Sequence, residues 1–478
     1  MFFGREDVIA KLAALMGKST SSLVTCRGRR RIGKSTLVEE FARKYGARFV
    51  KIEGLRPSPR TTNQDEIDSF LDQLALYGGK RTGRIESWLE AFRELDKLIG
   101  EDFTVVLLDE ISWMGYFDKL FSDRLKIAWD NMWKKHPKLI LVLCGSVSSW
   151  IKDNIIDNEA FVGRRSCDLI VHELPLKECV KFWGNKIERT DPREIIDILS
   201  ITGGVPRYLE EVNPSLSAAE NIKRMCFSRD GILRTDFDQM FNDVITAQPD
   251  FTATVLRCLV GGAKSAAEIT KELKLPKGGR VSAALIRLEE AGLVSSDAGK
   301  NPETGEELRE LRYRLSDNYA RFYLYYIEPL KDIIDRDGYE FTALDTLENI
   351  DVFMGLAFEN LVVNNFRELI APLHLSGALL TSASPYSRRG SSKSRGRKGC
   401  QIDLLLQTRK ALYIVEAKRK REIKRSVIDE VDDKVRAIKR RPGLSIKTAL
   451  VYEGQLSPLV QADGYFDAII SFSHLIGL

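Results

Sequence analysis

The 478-residue sequence has only four histidines, and none of its seven cysteines forms a C-x-x-C pair. That scarcity excludes a zinc cluster of the finger or ribbon type. The cysteines (26, 144, 167, 179, 226, 258 and 400) are odd in number and lie mostly in apolar surroundings. They read as buried reduced thiols, and a cytoplasmic location is the expectation. No run reaches the ~18 uninterrupted apolar residues of a membrane-spanning helix, so no membrane contact is expected. The opening Met1-Phe2-Phe3-Gly4-Arg5-Glu6-Asp7 goes straight to charge, without the apolar core of a signal peptide. Charge of either sign is barely in excess: 73 Lys and Arg against 68 Asp and Glu leave a net of +5. A tail-driven nucleic-acid binder and an acidic solvating protein are both excluded.

What is present is globular: 44% hydrophobic and 29% charged residues. At roughly 150 residues per domain, about three domains are expected. Strand-like runs at 22–27, 47–52, 103–108 and 139–144 alternate with helical segments, and a weaker run lies at 167–171. Phe103-Thr-Val-Val-Leu-Leu108 and Leu139-Ile-Leu-Val-Leu-Cys144 are apolar almost throughout, which predicts a parallel sheet covered on both faces. The fold class is therefore α/β. Residues 1–172 form the expected parallel-sheet core, and 173–247 a helical lid broken at Gly203-Gly204-Val205-Pro206. Three helices and a hairpin over 248–330, in winged-helix order, include a capping box from Ser265 to Glu268. The loop 297–310 would be the wing. Residues 331–350 read as a linker and 351–478 as a second α/β domain.

The strongest motif is Gly28-Arg29-Arg30-Arg31-Ile32-Gly33-Lys34-Ser35-Thr36, a G-x-x-x-x-G-K-[ST] phosphate-binding loop. Gly28 and Gly33 permit the backbone angles that turn amide N–H groups toward phosphates. Lys34 supplies a point charge at the β- and γ-phosphates of ATP, and Ser35 a hydroxyl to Mg²⁺. A strand precedes the motif and a helix follows it, which is the required context. Val105-Val106-Leu107-Leu108-Asp109-Glu110 adds the acidic strand end. Asp109 is expected to hold Mg²⁺ through water, and Glu110 to polarise the attacking water. Ser146, ending the next strand, is placed to sense the γ-phosphate.

These residues resemble the archaeal-type ATPases, a P-loop branch related to the STAND and AAA+ classes. The resemblance also rests on Phe3-Gly4-Arg5-Glu6, Cys144-Gly145-Ser146, Gly163-Arg164 and Gly203-Gly204-Val205-Pro206-Arg207-Tyr208-Leu209. It implies that Phe3, Gly4 and Arg5 lie near the adenine and that Gly204 and Pro206 of the lid touch the nucleotide. It also implies that Arg164, with Arg165 as a competitor, is an arginine finger or phosphate sensor.

Near the C-terminus, Gln401-Ile402-Asp403 precedes Val415-Glu416-Ala417-Lys418. Glu416 and Lys418 are two apart on a predicted strand and share a face. A tight turn at Thr408–Lys410 would bring Asp403 beside Glu416, where paired carboxylates can hold a second divalent cation. Lys418 would orient water or neutralise developing phosphate charge. The arrangement resembles the PD-(D/E)xK nucleases, in a domain of the DUF234 type with a restriction-endonuclease-like α/β fold. That resemblance adds Glu359 to the metal ligands. Asp429, Asp433 and Lys434 on the helix 423–438 are further members.

The segment 388–441 carries 19 Lys and Arg against 7 Asp and Glu, which leaves the rest of the chain at −7. A basic patch around a phosphodiesterase-like motif points to nucleic acid, with DNA expected. Residues 387–399 read as a flexible basic loop. Lys277, Arg280, Ser282 and Arg287 would let the winged helix add groove contacts. The expected function is an ATPase whose nucleotide state controls a nucleic-acid-binding, nuclease-like domain. The alternative is a nucleotide-dependent signalling switch with a catalytically silent, protein-binding C-terminal domain. Self-association into a homo-oligomer is open in both.

Overall fold

The computed structural model describes every residue except 1, 80–82, 147, 246–247, 309, 340–341 and 389–398, and omits the side chains of 148, 149, 243 and 244. The chain divides into two compact units, Met1–Leu174 and Pro175–Leu478.

In the first unit, β1 (Ser22–Arg27), β2 (Arg48–Glu53), β3 (Thr104–Asp109), β4 (Leu139–Gly145) and β5 (Arg165–Ile170) form one sheet in the order β2-β3-β4-β1-β5. Every pairing is parallel. β3 and β4 are buried at every position, as strands covered on both faces must be. One face packs on an aromatic cluster of Phe70, Trp88, Phe92, Phe121 and Trp133. This order sets the C-terminal ends of β3, β4 and β1 side by side, the edge where open α/β sheets bind ligands. All three candidate nucleotide segments leave from that edge.

The second unit begins with helices, including Pro192–Thr202, Pro206–Leu209, Ala218–Cys226 and Ile232–Val244. The helices Pro249–Arg257, Ala266–Glu272 and Arg280–Glu290 then combine with a small antiparallel sheet of β6 (Lys264–Ser265), β7 (Val294–Asp297) and β8 (Arg312–Leu315). Ser265 and Glu268 cap the middle helix reciprocally, as their spacing predicts.

The last sheet comprises β9 (Leu380–Arg388), β10 (Cys400–Thr408), β11 (Ala411–Ile423), β12 (Ser445–Leu456) and β13 (Ala468–Ser471), in the order β13-β12-β11-β10-β9. β9, β10 and β11 are antiparallel neighbours, whereas β11, β12 and β13 run parallel. The helices Ile350–Asn364 and Ser426–Ala437 both pack on β10 and β11.

Two features differ from the pattern-based reading. β9 is a polar edge strand, Leu-Thr-Ser-Ala-Ser-Pro-Tyr-Ser-Arg, with a proline that edge positions tolerate and no apolar run to announce it. β11 extends past Lys418 through a charged stretch to Ile423, because β12 continues beside it. Of the basic loop 387–399, residues 389–398 lie outside the described residues, and Ser387 and Arg388 end β9.

Candidate nucleotide site and carboxylate–lysine site

The loop after β1 turns on Gly28 (φ 151°), Arg31 (φ 69°) and Gly33 (φ 83°). A Cβ at Gly28 would lie 2.3 Å from the Val171 carbonyl oxygen, so only glycine fits there. Gly33 caps the helix Lys34–Lys44. The buried Lys34 folds back on the loop, its Nζ donating to the carbonyls of Gly28 (3.0 Å) and Arg29 (3.1 Å). The Arg5 guanidinium braces the same loop, donating to the Ile32 carbonyl at 3.2 Å. Gly4 and Arg5 are buried and Phe3 is half-buried. Arg29 is buried and Arg30 half-buried, while Thr36 is exposed.

Sheet order brings the acidic strand end to this loop. Ser35 Oγ donates to Asp109 Oδ2 at 2.5 Å. A serine hydroxyl and a buried carboxylate in contact form the oxygen donor set of a hard divalent cation, so Ser35 and Asp109 fit Mg²⁺. Glu110 takes a left-handed backbone (φ 48°) and turns its carboxylate to the end of β4. Ser146 holds it there: Oγ lies 2.9 Å from each carboxylate oxygen, and the Ser146 N–H donates at 3.1 Å.

One group at this site escaped the motif. Lys51, inside β2, places Nζ 3.4 Å from Asp109 Oδ2 and 3.2 Å from Glu53 Oε2. Burial lowers its pKa and the two carboxylates raise it; the net shift is upward. The only advance signal was Lys51 preceding the strand-end Glu53 by two residues, which puts both on one face.

Arg164 is not assembled with these groups. Its Nε and Nη2 clasp Asp130 at 2.9 and 3.0 Å, and Lys126 joins the same carboxylate at 3.0 Å. The Arg164 hydrogen bond is the main reason that Asp130 is held down to a pKa of about 2. Arg165 donates to the Ile156 carbonyl. Gly204 and Pro206 belong to the second unit, at the turn into the helix Pro206–Leu209.

In the second unit, Leu404 pairs with Val415, so Asp403 and Glu416 come out opposite each other across β10 and β11. The Ala417 N–H fixes Asp403, donating to Oδ2 at 2.9 Å. Leu412, Ile414, Glu416 and Lys418 share a strand face. The first two pack with Val427 and Val431 of the helix Ser426–Ala437. The polar continuation of that face therefore meets the polar continuation of the helix face. Lys418 Nζ lies 2.8 Å from Glu416 Oε1 and 2.9 Å from Glu430 Oε2. Lys434 forms a close hydrogen bond to Glu416 Oε2 and lies 3.7 Å from Asp403 Oδ1. Asp429 and Asp433 are exposed.

Burial and the Glu416 charge raise the Asp403 pKa, against the lysines. Burial and the Asp403 charge push Glu359 to about 7. Burial lowers the pKa values of Lys418 and Lys434, but the adjoining carboxylates raise both overall. Asp403, Glu416 and Lys418 thus converge as expected. The expected metal set of Glu359, Asp403 and Glu416 does not assemble: among the described residues no group of three His, Cys, Asp or Glu is arranged to hold a metal ion. Ammonium groups lie against the carboxylates instead, so in this arrangement the site does not fit a divalent cation.

The basic surfaces divide similarly. Arg419 pairs with Asp197, whereas Lys420, Arg421 and Lys424 are exposed. On the helix Arg280–Glu290, Arg280 stacks 3.9 Å over the Phe251 ring and Arg287 donates to Thr252. The loop expected to be a wing is held by the last sheet. Gln407 donates to the Lys300 carbonyl (2.5 Å), and the Arg441 N–H to that of Pro302 (3.0 Å).

Residues 2–212 match the family model described as an ATPase domain predominantly from Archaea, so this part of the chain is an ATPase domain of the P-loop type. An uncharacterized protein of Methanocaldococcus jannaschii is 23% identical over 77% of this chain and 78% of its own length. Among solved structures, a Walker-type ATPase of Pyrococcus abyssi superimposes with a TM-score of 0.50 at 18% identity, covering 68% of this chain and 96% of that one. It supports the fold. The ORC2 protein of Aeropyrum pernix gives a TM-score of 0.43 at 16% identity, over 70% of this chain and 94% of its own. No helix among the described residues is long and apolar enough to cross a membrane.

Proposed function

We propose that the chain is an ATP-hydrolysing switch whose second unit contacts nucleic acid, DNA in the first instance, through a nuclease-like C-terminal domain. The contact of Ser35 with Asp109 beside Lys34 carries the ATPase half. The helix N-terminus and loop amides bind the phosphates, and Lys34 exchanges its two carbonyl partners for phosphate oxygens. Mg²⁺ held by Ser35 and Asp109 would offset the phosphate charge. Glu110 accepts a proton from the attacking water, and Ser146 fixes the carboxylate orientation. Arg164 has no part in this reading, because Asp130 already holds its guanidinium.

For nucleic acid, the exposed Lys420, Arg421 and Lys424 beside the carboxylate–lysine site are the favoured contacts. The winged-helix segment is a weaker candidate, since its loop and two helix arginines are already engaged. That engagement, with the lysine-neutralised carboxylates, also favours a second reading in which the C-terminal domain binds without cleaving.

The test is ATP turnover and nucleic-acid retention by the full chain. Lys34→Ala should cut turnover by ~10²–10³-fold; wild-type turnover would overturn the site. Replacing Lys420, Arg421 and Lys424 together by Ala should weaken DNA binding and flatten its salt dependence. If the wild type binds no DNA or RNA at low salt, the nucleic-acid half fails.

A further inference from the structure

We propose that Lys434 is a built-in counter-cation that bars a divalent metal ion from Asp403 and Glu416. The inference rests on reading this domain as nuclease-like, and it specifies how that site is held.

Glu416 is 1% exposed, so water cannot screen it, and its charge must be met by protein groups. Its two oxygens are taken by different ammoniums, Oε1 by Lys418 and Oε2 by Lys434. Lys434 also faces Asp403 Oδ1 at 3.7 Å, while the other Asp403 oxygen accepts the Ala417 N–H. Lys434 Nζ therefore sits against both carboxylates, where a metal ion bridging them would have to lie. A divalent cation entering there would meet one ammonium head-on and a second, Lys418, across Glu416, at a depth where like charges repel strongly.

The lysine is placed by packing. Val427 and Val431 set the helix phase against the sheet, and Glu430 and Lys434 follow on that face at i and i+4. Lys418 belongs to the nuclease-like motif, but Lys434 arrives from another element and doubles the positive charge. Its side chain is 19% exposed, so the stem can swing the ammonium toward solvent without moving the helix.

The test is Mn²⁺ binding, followed by the paramagnetic resonance of free Mn²⁺, to the nucleotide-free full chain. The proteins compared are wild type, Lys434→Met, Lys434→Gln, Lys434→Arg, and each neutral variant combined with Glu416→Gln. Lys434→Gln keeps the chain length and a donor should Lys434→Met fail to fold. The neutral variants should gain one Mn²⁺ site at least ~10-fold tighter than any at this position in the wild type. Glu416→Gln should erase the gain, and Lys434→Arg should restore exclusion. If Glu416→Gln removes an equally tight Mn²⁺ site from the wild type, the inference is overturned while the nuclease-like reading stands. If a folded neutral variant gains nothing, both are overturned.

Discussion

The two candidate sites use the same kinds of residue, two carboxylates and two lysines, in opposite ways. At the nucleotide site, Lys34 rests on backbone carbonyls, and the carboxylates are met mainly by hydroxyls: Ser35 on Asp109 and Ser146 on Glu110. Lys51 supplies a more distant ammonium to Asp109, at 3.4 Å. A hydroxyl carries no net charge, so it leaves a carboxylate attractive to a cation. At the C-terminal site, Lys418 and Lys434 take both oxygens of Glu416. Short motifs report which residues are present, but the neighbour of each carboxylate decides what it can bind. A carboxylate beside a hydroxyl is available, and one between two ammoniums is already satisfied.

The largest effect that would sharpen this contrast lies at Glu110. Glu110→Gln keeps the size and the Ser146 contact but cannot take a proton, so ATP turnover should fall by ~10²–10⁴-fold. ATP binding, followed by equilibrium dialysis, should persist. Undiminished turnover would move proton acceptance to another group. At the other site, removing both lysines (Lys418→Met with Lys434→Met) should leave Glu416 buried without a counter-charge. A loss of about 3–5 kcal/mol in urea unfolding of the second unit is expected. Turnover at the first site should stay within about 2-fold of wild type, since effects at sites without shared partners are independent. A cost below about 1 kcal/mol would mean that the lysines do not neutralise the cluster.

The contrast was half legible in the sequence. The phosphate loop is contiguous over 28–36, and its acidic partner ends an apolar strand, so both could be named from pattern. The pairing of Asp403 with Glu416 was legible too, because a short turn fixes hairpin register. Lys51 was not, and Lys434 was legible only beside Asp429 and Asp433, as one of three further members on its helix. Lys51 matters only because β2 lies beside β3, which is a fact of sheet order. Lys434 stands among Asp429, Glu430, Asp432, Asp433 and Arg436, and only the packing of Val427 and Val431 shows which of them turn inward. The docking of the loop 297–310 depends on residues about a hundred positions away, including Ser382 on a strand too polar to foresee, whose Oγ accepts the Lys300 N–H.

Glu66 extends the comparison to a buried carboxyl with weaker support. It is 1% exposed, and its Oε1 has no hydrogen-bond partner among the described residues. Burial pushes its pKa up to about 7, against a backbone hydrogen bond at Leu55 and with help from the Asp65 charge. A carboxyl whose pKa is higher folded than unfolded contributes stability in full below its unfolded value of 4.5. That contribution is lost as pH rises through about 7. The first unit should therefore weaken by roughly 3 kcal/mol between these limits. Glu66→Gln should remove this pH slope from the melting temperature; an unchanged slope would show that the proton belongs elsewhere.

The smallest effect tests where the nucleotide site ends. Arg164 clasps Asp130 with two hydrogen bonds, but both side chains retain solvent contact, and Lys126 stands ready to keep the carboxylate paired. Arg164→Ala should thus leave the melting temperature almost unchanged. Because Asp130 already satisfies the guanidinium, ATP turnover should remain within about 2-fold of wild type. The Asp130→Asn variant separates the alternatives: it loosens the clasp but keeps the arginine. A fall in turnover of ~10²-fold or more in Arg164→Ala, without one in Asp130→Asn, would make the arginine a phosphate-facing group that leaves Asp130 when nucleotide binds. Comparable small losses in both would place the pair outside the chemistry, as a brace between the helix Phe121–Asn131 and the start of β5.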